Sequence, residues 1–502
     1  MTTTSTIFRY LCLGSLAALL TLPLQLHAGE PYEPTWESLA TYPIPEWFQD
    51  GKFGIYTHWG IYSVPAHVTE WYPHGMYMKD GFRNKDFYGW HTKHFGPPEE
   101  FGYKDFLPMF TGEKFDADDW AELFLKSGAK FAGPCAEHHD GFAMWDSALT
   151  EWDCADKGPK VDVTGKLAAA IKKRGMKFIA TFHHARNWQY YPHEGDFDTN
   201  DPRYAYLGSI YGPIHEPGAP PSEAYLKDWR ARVVEVVDKY DPAMIWFDGG
   251  WGRSHYDPYK RELLAYYYNR AEAAGKQVAV TKKGEDLPEG VGILNFERGR
   301  AAEILPTPWE TDTSVYQNSW GYINDIKYYT SDYLVDELID IVSKNGVMLL
   351  NVGPKPDGTI PEEAQQILLG MGQWLEVNGE AIYGSRPWKV FGEGPTKVAG
   401  GKRARRKADY TARDIRFTTK GETLYAISLD WPGNELVIRS LGSSSPHLEG
   451  AITGVSLVGY DKKLAFKQES RGLVVTMPGD KPCEYAYVLR ITAERTVREA
   501  SK

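Results

Sequence analysis

Cysteine is scarce in this sequence: the 502 residues contain four. One of them, Cys12, lies in an apolar segment near the amino terminus, which leaves Cys135, Cys154 and Cys483. An odd number of widely spaced cysteines matches neither a disulfide framework nor a metal-binding pair. A chain of this length can build a large hydrophobic core instead, and the length favours two domains.

Concentrated positive charge is equally scarce. The formal net charge is −11, and the one dense basic cluster, 402–407 (KRARRK), is short and follows two glycines. Nucleic-acid binding requires a basic surface that neutralises many phosphates. We therefore predict no nucleic-acid partner and interpret the cluster as a solvated loop.

Long apolar runs are missing except near the amino terminus, where residues 11–24 are largely apolar and follow Arg9. This pattern, with Ala28 at a candidate cleavage position, predicts a signal peptide over residues 1–28. The run is too short to span a bilayer, and no later stretch is long and apolar enough to do so. We expect an exported protein, secreted or periplasmic, whose mature chain has no membrane span.

Short β-rich runs alternate with helical patterns between Phe53 and Pro354. Helices are indicated near Asp116, over 164–174 and from Tyr225 onward, because apolar residues recur there at helical spacing and Gly or Pro follows. Between the helices, runs rich in β-branched and aromatic residues indicate strands. The predicted strands are 53–60, 130–142, 177–184, 243–250, 277–283, 292–297 and 346–352.

Seven or eight such units over about 300 residues predict a (β/α)8-type barrel. A doubly wound parallel sheet is the main alternative, but it should carry a glycine-rich nucleotide turn after its first strand. The residues at that point, 58–60 (HWG), do not form such a turn. We therefore assign residues 29–388 to a catalytic barrel domain.

The sequence changes in character after the helical pattern at 362–377. Short alternating runs separated by Gly, Pro, Asn or Asp predict an antiparallel β-sandwich over residues 389–502. We favour a structural role for this domain over glycan binding. Its predicted strands are 414–418, 423–429, 435–440, 452–457, 464–468, 473–477 and 485–491.

Catalytic residues of a barrel lie at the carboxyl ends of its strands. Histidines and carboxylates follow the predicted strands in this chain, and five histidines from three strands indicate a shared site. These residues are His58, His138, His139, Asp140, His183, His184, Asp248 and Glu297.

Two kinds of chemistry fit such a site. Histidines with Asp140 could bind a metal ion that activates water. Adjacent strand residues point to opposite faces, so His138 and His139 make poor ligands for one ion. We therefore favour the second chemistry, in which Asp248 and a later carboxylate cleave a glycosidic bond.

Aromatic side chains near Asp248 support this choice. Asp248 by itself could equally cap the following helix. It lies in 246–250 (WFDGG), however, and flat rings stack on the apolar faces of sugars. The candidate rings are Trp59, Trp71, Tyr72, Trp246, Trp309 and Trp320.

Six sequence elements, in this order, resemble those of the α-L-fucosidases of glycoside hydrolase family 29. They extend from Trp47 to Trp388, over the whole predicted barrel. The elements are 47–60 (WFQDGKFGIYTHWG), 70–72 (EWY), 138–142 (HHDGF) with 145–147 (WDS), 246–249 (WFDG), 320–322 (WGY) and 349–354 (LLNVGP).

The resemblance implies a retaining α-L-fucosidase in which Asp248 attacks the anomeric carbon of fucose. For the acid/base we favour Glu297, which ends the sixth predicted strand, over Glu310 and Glu285; Glu310 could instead support a histidine or an arginine. Among the implied substrate-binding residues, His184 is the weakest match, because many relatives carry tyrosine there. The full set is His58, Glu70, Trp71, His138, His139, His184, Trp246 and Trp320, the last near the C6 methyl group of fucose.

The chain departs from the family pattern after the fifth predicted strand. Many relatives carry Asn-Asp-Arg there, and the arginine reaches the active site, whereas this chain has 280–283 (VTKK). We interpret Lys282 or Arg298 as the replacement cation. The resemblance implies no cofactor and no metal, and a fucosylated oligosaccharide or polysaccharide as substrate. A fucose-binding protein without turnover remains an alternative, and the oligomeric state stays open.

Overall fold

The computed structural model describes Met1 and residues 30–401, 409–448 and 450–494. The predicted signal peptide, apart from Met1, and the basic cluster at 402–407 lie outside the described residues. The chain divides into two compact units, Met1–Pro31 and Tyr32–Lys502, and all elements below belong to the second. No helix in these described segments has the length and apolar character needed to cross a membrane.

Eight parallel strands close into a barrel in chain order, with β8 hydrogen-bonded back to β1. Nearly all of their residues are buried, because side chains fill the inside of a barrel and helices cover its outside. The predicted barrel is confirmed. Its strands are β1 Phe53–Thr57, β2 Phe131–Glu137, β3 Lys177–Phe182, β4 Met244–Phe247, β5 Ala279–Lys283, β6 Ile293–Asn295, β7 Trp309–Ser314 and β8 Gly346–Val352.

The seventh strand is the one that the sequence reading missed. β7 pairs with β8 over its whole length, from Trp309 opposite Gly346 to Ser314 opposite Asn351. Its sequence, WETDTS, is mostly polar and resembles a loop, yet all six residues are buried. Asp312 lines the barrel mouth, and other polar side chains of the strand find buried hydrogen-bond partners, as the Thr311 hydroxyl does in the carbonyls of Phe296 and Gly299.

Helices cover the barrel, and their ends follow local sequence signals. Asp116 begins α5 by accepting hydrogen bonds from the backbone of Asp118 and Asp119. Asp241, in the left-handed region at φ 46°, ends α7 just before Pro242. The helices are α1 Trp36–Leu39, α2 Glu46–Gly51, α3 Tyr72–Gly75, α4 Phe87–Phe95, α5 Ala117–Lys126, α6 Val163–Lys173, α7 Glu223–Tyr240, α8 Asp257–Ala273, α9 Ser331–Ser343 and α10 Glu362–Asn378.

Side chains fill the barrel below its mouth. Gly133 is required there, because a Cβ atom at this position would lie 1.7 Å from the carbonyl oxygen of Ile179. Phe48 of α2 is fully buried against the same cluster, so α2 closes the amino-terminal end of the barrel. The cluster consists of Phe48, Tyr56, Phe131, Ile179, Met244, Trp246, Ala279, Ile293, Val347 and Leu349.

The carboxyl-terminal domain is a pair of antiparallel sheets around a second apolar core, as predicted. Asp340 of α9 is fully buried and accepts a 2.7 Å bond from Arg416, and Trp374 of α10 donates to the carbonyl of Ala486. The domain therefore packs on the α9–α10 flank, and residue 389 falls within its first strand. The strands are β9 Arg386–Glu393, β10 Ile415–Lys420, β11 Thr423–Ser428, β12 Glu435–Ile438, β13 Ile452–Leu457, β14 Phe466–Glu469, β15 Gly472–Thr476 and β16 Tyr487–Ala493.

Candidate active site

A cavity of about 520 Å³ opens at the carboxyl ends of the barrel strands. This is the end at which barrel enzymes carry their active sites. The cavity brings together every residue predicted to act in catalysis or substrate binding except His184; Asp140, predicted at the same strand end, also lies outside the lining and accepts a 2.7 Å bond from the Tyr103 hydroxyl. Those present are His58, Glu70, Trp71, His138, His139, Trp246, Asp248, Glu297 and Trp320.

Asp248 directly follows β4, and the pleat directs its side chain into the mouth, on the same side as Trp246. One carboxylate oxygen, Oδ1, lies 2.7 Å from Nζ of Lys283, and Oδ2 lies 3.3 Å from Nε2 of His139. Burial opposes ionisation, but the Lys283 ammonium and the His139 contact hold the pKa of Asp248 well below its usual range. Asp248 is therefore an ionised carboxylate with 16% of its side chain exposed.

Lys283, which the sequence did not indicate, supplies the cation beside Asp248; of the two predicted candidates, Lys282 lies outside the cavity and Arg298 lies in its lining. β5 alternates its side chains, and Ala279 in the barrel interior places Lys283 inward and Lys282 outward. Lys282 donates to the carbonyls of Leu287 and Pro288 instead. Burial lowers the pKa of Lys283, but the Asp248, Asp312 and Glu297 carboxylates outweigh it and raise that pKa above its ordinary value. Arg298 lies at the cavity but donates to the carbonyls of Tyr316 and Ser319.

Glu297 reaches the same cavity after β6, with 21% of its side chain exposed. Its Oε2 lies 3.6 Å from Nζ of Lys283, which is 2.7 Å from Oδ1 of Asp248. The two carboxylate oxygens are therefore no more than 6.3 Å apart, which is below the separation of roughly 6.5–9.5 Å in inverting glycosidases. An ionised and a solvent-accessible carboxylate thus face one space.

Glu310 lies beneath the cavity rather than in its lining. Its Oε2 accepts hydrogen bonds from Nε1 of Trp246 at 2.9 Å and from Nδ2 of Asn295 at 2.8 Å. Burial raises the pKa of Glu310 to about 8 and the Asp312 carboxylate adds to the rise, while the hydrogen bonds from Asn295 and Trp246 and the Lys283 ammonium oppose it only in part. Glu310 therefore fixes the Trp246 indole from below, as a support for a tryptophan rather than for a histidine or an arginine.

Three neutral histidines form one wall. The amide nitrogen of Asn351 donates to the Trp320 carbonyl, so its Oδ1 accepts, and Nδ1 of His58 carries the proton at 2.8 Å. The other nitrogen of His58 is left to accept from a ligand. Burial lowers the pKa of His58 to about 4 and lowers those of His138 and His183 well below the ordinary value. All three are uncharged near neutral pH.

His138 and His139 both face the cavity, so the prediction that they point to opposite faces was wrong. A β-bulge between Cys135 and Glu137 shifts the register of β2, so Glu137 turns outward and His138 inward. The strand has ended by His139, and both rings line the cavity with centroids 4.5 Å apart. Potential ligand atoms of His58, His138 and His183 lie within 4.8 Å of one another, which makes them the candidate metal-binding group of the described residues.

His184 does not reach the cavity, and His183 takes the place predicted for it. Ile179 of β3 faces the barrel interior, so His183 faces inward and its neighbour outward. His184 lies instead 3.4 Å from the Glu137 carboxylate and packs on the ring of Tyr225. The alternation of side chains along β3 decides which of the two histidines faces inward. Matching the motif alone does not show this.

Aromatic rings adjoin the histidines in the cavity lining, as predicted for Trp246 and Trp320. The Trp320 ring stacks on His58 at 5.6 Å and on the Arg298 guanidinium at 4.2 Å. Glu70 accepts hydrogen bonds from the backbone of Trp320 and from the hydroxyl of Ser319. The three other candidate rings, at Trp59, Tyr72 and Trp309, are core residues with little exposed surface.

Asp312 is a cavity carboxylate that the sequence reading missed along with its strand. Its Oδ2 accepts a 3.3 Å bond from the hydroxyl of Tyr56 and lies 3.7 Å from Nζ of Lys283. Burial raises the pKa of Asp312 to about 6, although Lys283 opposes the rise. The alternation of Glu310 and Asp312 within β7 would have indicated an inward-facing acidic pair.

This fold and site define a barrel hydrolase that acts on carbohydrate: ionised and accessible carboxylates face one space walled by neutral histidines and flat aromatic rings. A family model described as alpha-L-fucosidase matches residues 20–380, and one described as alpha-L-fucosidase C-terminal domain matches residues 407–492. The chain belongs to the α-L-fucosidase family and is a glycoside hydrolase, which confirms the resemblance drawn from its motifs.

Known relatives match along nearly the whole chain. The tissue alpha-L-fucosidase of Rattus norvegicus is 32% identical over 93% of this chain and 93% of its own length. The tissue enzyme of Homo sapiens is 30% identical over 95% and 97%. The crystal structure of Thermotoga maritima alpha-fucosidase in complex with fucose is similar at a TM-score of 0.71, with 32% identity over 91% of this chain and 99% of that one.

Proposed function

We propose that the protein is an exported α-L-fucosidase that hydrolyses terminal α-L-fucosyl linkages of glycans with retention of anomeric configuration. The family membership supports α-L-fucosidase activity. The arrangement of Asp248, Lys283 and Glu297 supports the retaining mechanism, because retention requires two carboxylates separated by about 5–5.5 Å. An inverting enzyme needs a wider gap that admits water between them.

In the first step Asp248 attacks the anomeric carbon while Glu297 transfers its proton to the leaving oxygen. Oδ2 of Asp248 is the freer oxygen, because its 3.3 Å contact with His139 is longer than the 2.7 Å contact between Oδ1 and Lys283. The C–O bond to the leaving group breaks, and a fucosyl ester of Asp248 forms. In the second step Glu297 takes a proton from water, which displaces Asp248 and releases fucose.

The neutral histidines and the adjoining tryptophan rings would together bind the sugar. Neutral His58, His138 and His183 can accept hydrogen bonds from sugar hydroxyls without adding charge. Trp320 would pack against the C6 methyl group, and Trp246 would line the ring below the anomeric centre. In this proposal His183 replaces His184 in the binding set, and Glu70, Trp71 and His139 keep the roles that the resemblance implies.

The nucleophile is tested by the Asp248→Gly variant with an aryl α-L-fucoside. Loss of the carboxylate should lower turnover by roughly 10⁴-fold, because no covalent ester can form. Azide fits the space left by the carboxylate and should restore turnover with β-fucosyl azide as the product. An α-fucosyl azide product, identified by NMR, would contradict the assignment of Asp248.

The acid/base is tested by comparing Glu297→Ala with Glu310→Ala. Removing the proton donor should slow substrates with poor leaving groups far more than activated aryl fucosides. We expect this selective loss for Glu297→Ala and a similar loss on both substrate types for Glu310→Ala. The opposite pattern would assign the acid/base to Glu310.

Export rests on the composition of residues 1–28, with an apolar run behind a single basic residue. Expression of the full chain in a secreting host, followed by amino-terminal sequencing, tests it. The mature chain is expected outside the cytoplasm and to begin near residue 29. An intact amino terminus on cytoplasmic protein would overturn this part of the proposal.

A further inference from the structure

Three basic side chains line the cavity without an anionic partner. They are Arg83, Lys85 and Arg186, and none of them forms an ion pair with any residue that the structure describes. Lys283, by contrast, contacts three carboxylates. Arg83 and Lys85 are exposed and Arg186 is partly buried, so together they make this side of the cavity mouth positive in a chain whose net charge is −11.

A strained hairpin holds two of these cations at the mouth. Phe82 and Lys85 exchange backbone hydrogen bonds of 2.9 and 3.0 Å, which closes a two-residue turn. Both turn residues are left-handed, Arg83 at φ 51° and Asn84 at φ 60°. Arginine in this conformation costs about 1–2 kcal/mol, and glycine would avoid the cost. The turn places the Arg83 guanidinium 4.3 Å from the ring centroid of Trp71.

The third cation, Arg186, also lies over the Trp71 indole. The Arg186 guanidinium lies 5.8 Å from the Trp71 ring, and its Nε is buried without a hydrogen-bond partner. It also borders the nucleophile strand, because a Cβ atom on Gly249 would lie 3.0 Å from its Nη2. A buried guanidinium N–H without an acceptor is unfavourable, and an anionic ligand would satisfy it.

Ring contacts connect the basic side chains to the reacting atoms. Trp71 packs on His139 with centroids 4.9 Å apart, and His139 contacts Asp248. Arg83 and Lys85 belong to the β1–β2 connection and Arg186 to the β3–β4 connection. These connections lie across the barrel mouth from Glu297, which follows β6 and would face the leaving group. The cations therefore lie beside the sugar that reacts.

We propose that Arg83, Lys85 and Arg186 form a subsite for an anionic substituent of the fucosyl residue, a sulfate ester on one of its hydroxyls. This inference rests on the proposed α-L-fucosidase activity and specifies its substrate class. Guanidinium groups bind such oxyanions through paired, charge-assisted hydrogen bonds. The subsite thus selects charged fucosyl glycans over neutral ones.

The test compares kcat/KM for 4-nitrophenyl α-L-fucoside with kcat/KM for its 2-O-, 3-O- and 4-O-sulfate esters. At least one ester should exceed the neutral substrate by about 10–100-fold at low salt, and the ratio should fall at high salt because exposed cations are screened. In a second comparison, kcat/KM is measured for a fucosyl disaccharide whose leaving sugar is a uronic acid. It distinguishes a carboxylate on the leaving side from a sulfate on fucose.

The Arg83→Gln/Lys85→Gln double variant and Arg186→Met should each lower this ratio by about tenfold or more. Lys93→Gln is the matched control, since Lys93 is an exposed lysine of neighbouring α4 outside the cavity. Inorganic sulfate, tested at constant ionic strength against chloride, should inhibit the wild type competitively and the double variant more weakly.

Two outcomes would overturn the subsite. One is that no sulfate ester exceeds the neutral fucoside and sulfate does not inhibit. The other is a preference that the Arg83, Lys85 and Arg186 variants leave unchanged. Failure of the neutral fucoside and of every charged fucoside to react would instead count against the proposed activity itself, so the two failures are distinguishable.

Discussion

The ammonium group of Lys283 lies 2.7 Å from the Asp248 carboxylate. The same nitrogen lies 3.6 Å from Glu297 and 3.7 Å from Asp312. One buried cation therefore balances three carboxylates, and a change in any of these charges alters the ionisation of the others. The predictions below begin with this cation.

Replacing Lys283 by Met should raise the pKa of Asp248, because burial would then be opposed mainly by His139. The nucleophile must be ionised to react. On acidification the variant should therefore lose activity at a higher pH than the wild type does. We expect kcat/KM at neutral pH to fall roughly 10²–10³-fold. Lys283→Arg keeps the charge, so activity should fall at the same acidic pH as in the wild type. If the Met variant also loses activity at the wild-type pH, Lys283 does not control the ionisation of Asp248.

Asp312 should contribute an inflection near pH 6 to the kcat/KM profile, where its raised pKa lies. Its ionisation adds negative charge beside Lys283 and weakens the hold of that cation on the Asp248 carboxylate. Asp312→Asn retains a polar partner for Tyr56 but cannot titrate, so the inflection should disappear with a change in kcat/KM of about two- to tenfold. Persistence of the inflection in the variant would assign it to another group.

His183 and His184 form a matched pair for testing which histidine meets the sugar. His183→Ala should raise KM and lower kcat/KM by about 10–100-fold, because one hydrogen bond to the ligand is lost. His184→Ala should leave kcat/KM within about twofold while lowering thermal stability, since it removes a neighbour of buried Glu137. Steady-state kinetics and thermal unfolding of both variants measure these effects. A large loss of kcat/KM for His184→Ala and none for His183→Ala would assign the sugar contact to His184.

Glu310 should make the protein less stable as the pH rises. Its folded-state pKa of about 8 lies above the ordinary glutamate value of 4.5, so between these values the folded state retains a proton that the unfolded state has released. The free energy of unfolding therefore falls through this window. Glu310→Gln cannot ionise and should lose about 1–3 kcal/mol less than the wild type between pH 5 and pH 8 in denaturant titrations. Equal slopes for both proteins would show that Glu310 titrates normally.

Chelation should leave the activity unchanged, because the proposed mechanism uses carboxylates alone. Excess Zn²⁺ should inhibit, since neutral His58, His138 and His183 offer nitrogen ligands within the sugar site. Dialysis against EDTA, with metal analysis before and after, measures the first effect. A loss of kcat that Zn²⁺ restores would revive the metal-dependent alternative.

Much of the fold was predictable because hydrophobic periodicity is local. The α5 and α10 patterns and seven of the barrel strands needed neighbouring residues only. β7 was missed because its buried polar residues imitate a loop, and their burial depends on a cavity assembled from distant strands. Motif resemblance located the site, but it did not resolve Lys283 from Lys282 or His183 from His184.

The sequence by itself determined the barrel, the family and the chemical groups at the strand ends, because these follow from local pattern and motif order. Only the tertiary structure decided which of two adjacent side chains faces the mouth, because strand alternation has meaning only once the inside is known. A bulge in β2 brought His138 inward, and closure of the barrel set Lys283 among three carboxylates. The same closure placed Arg83 and Arg186 on one indole, although about 100 residues separate them along the chain.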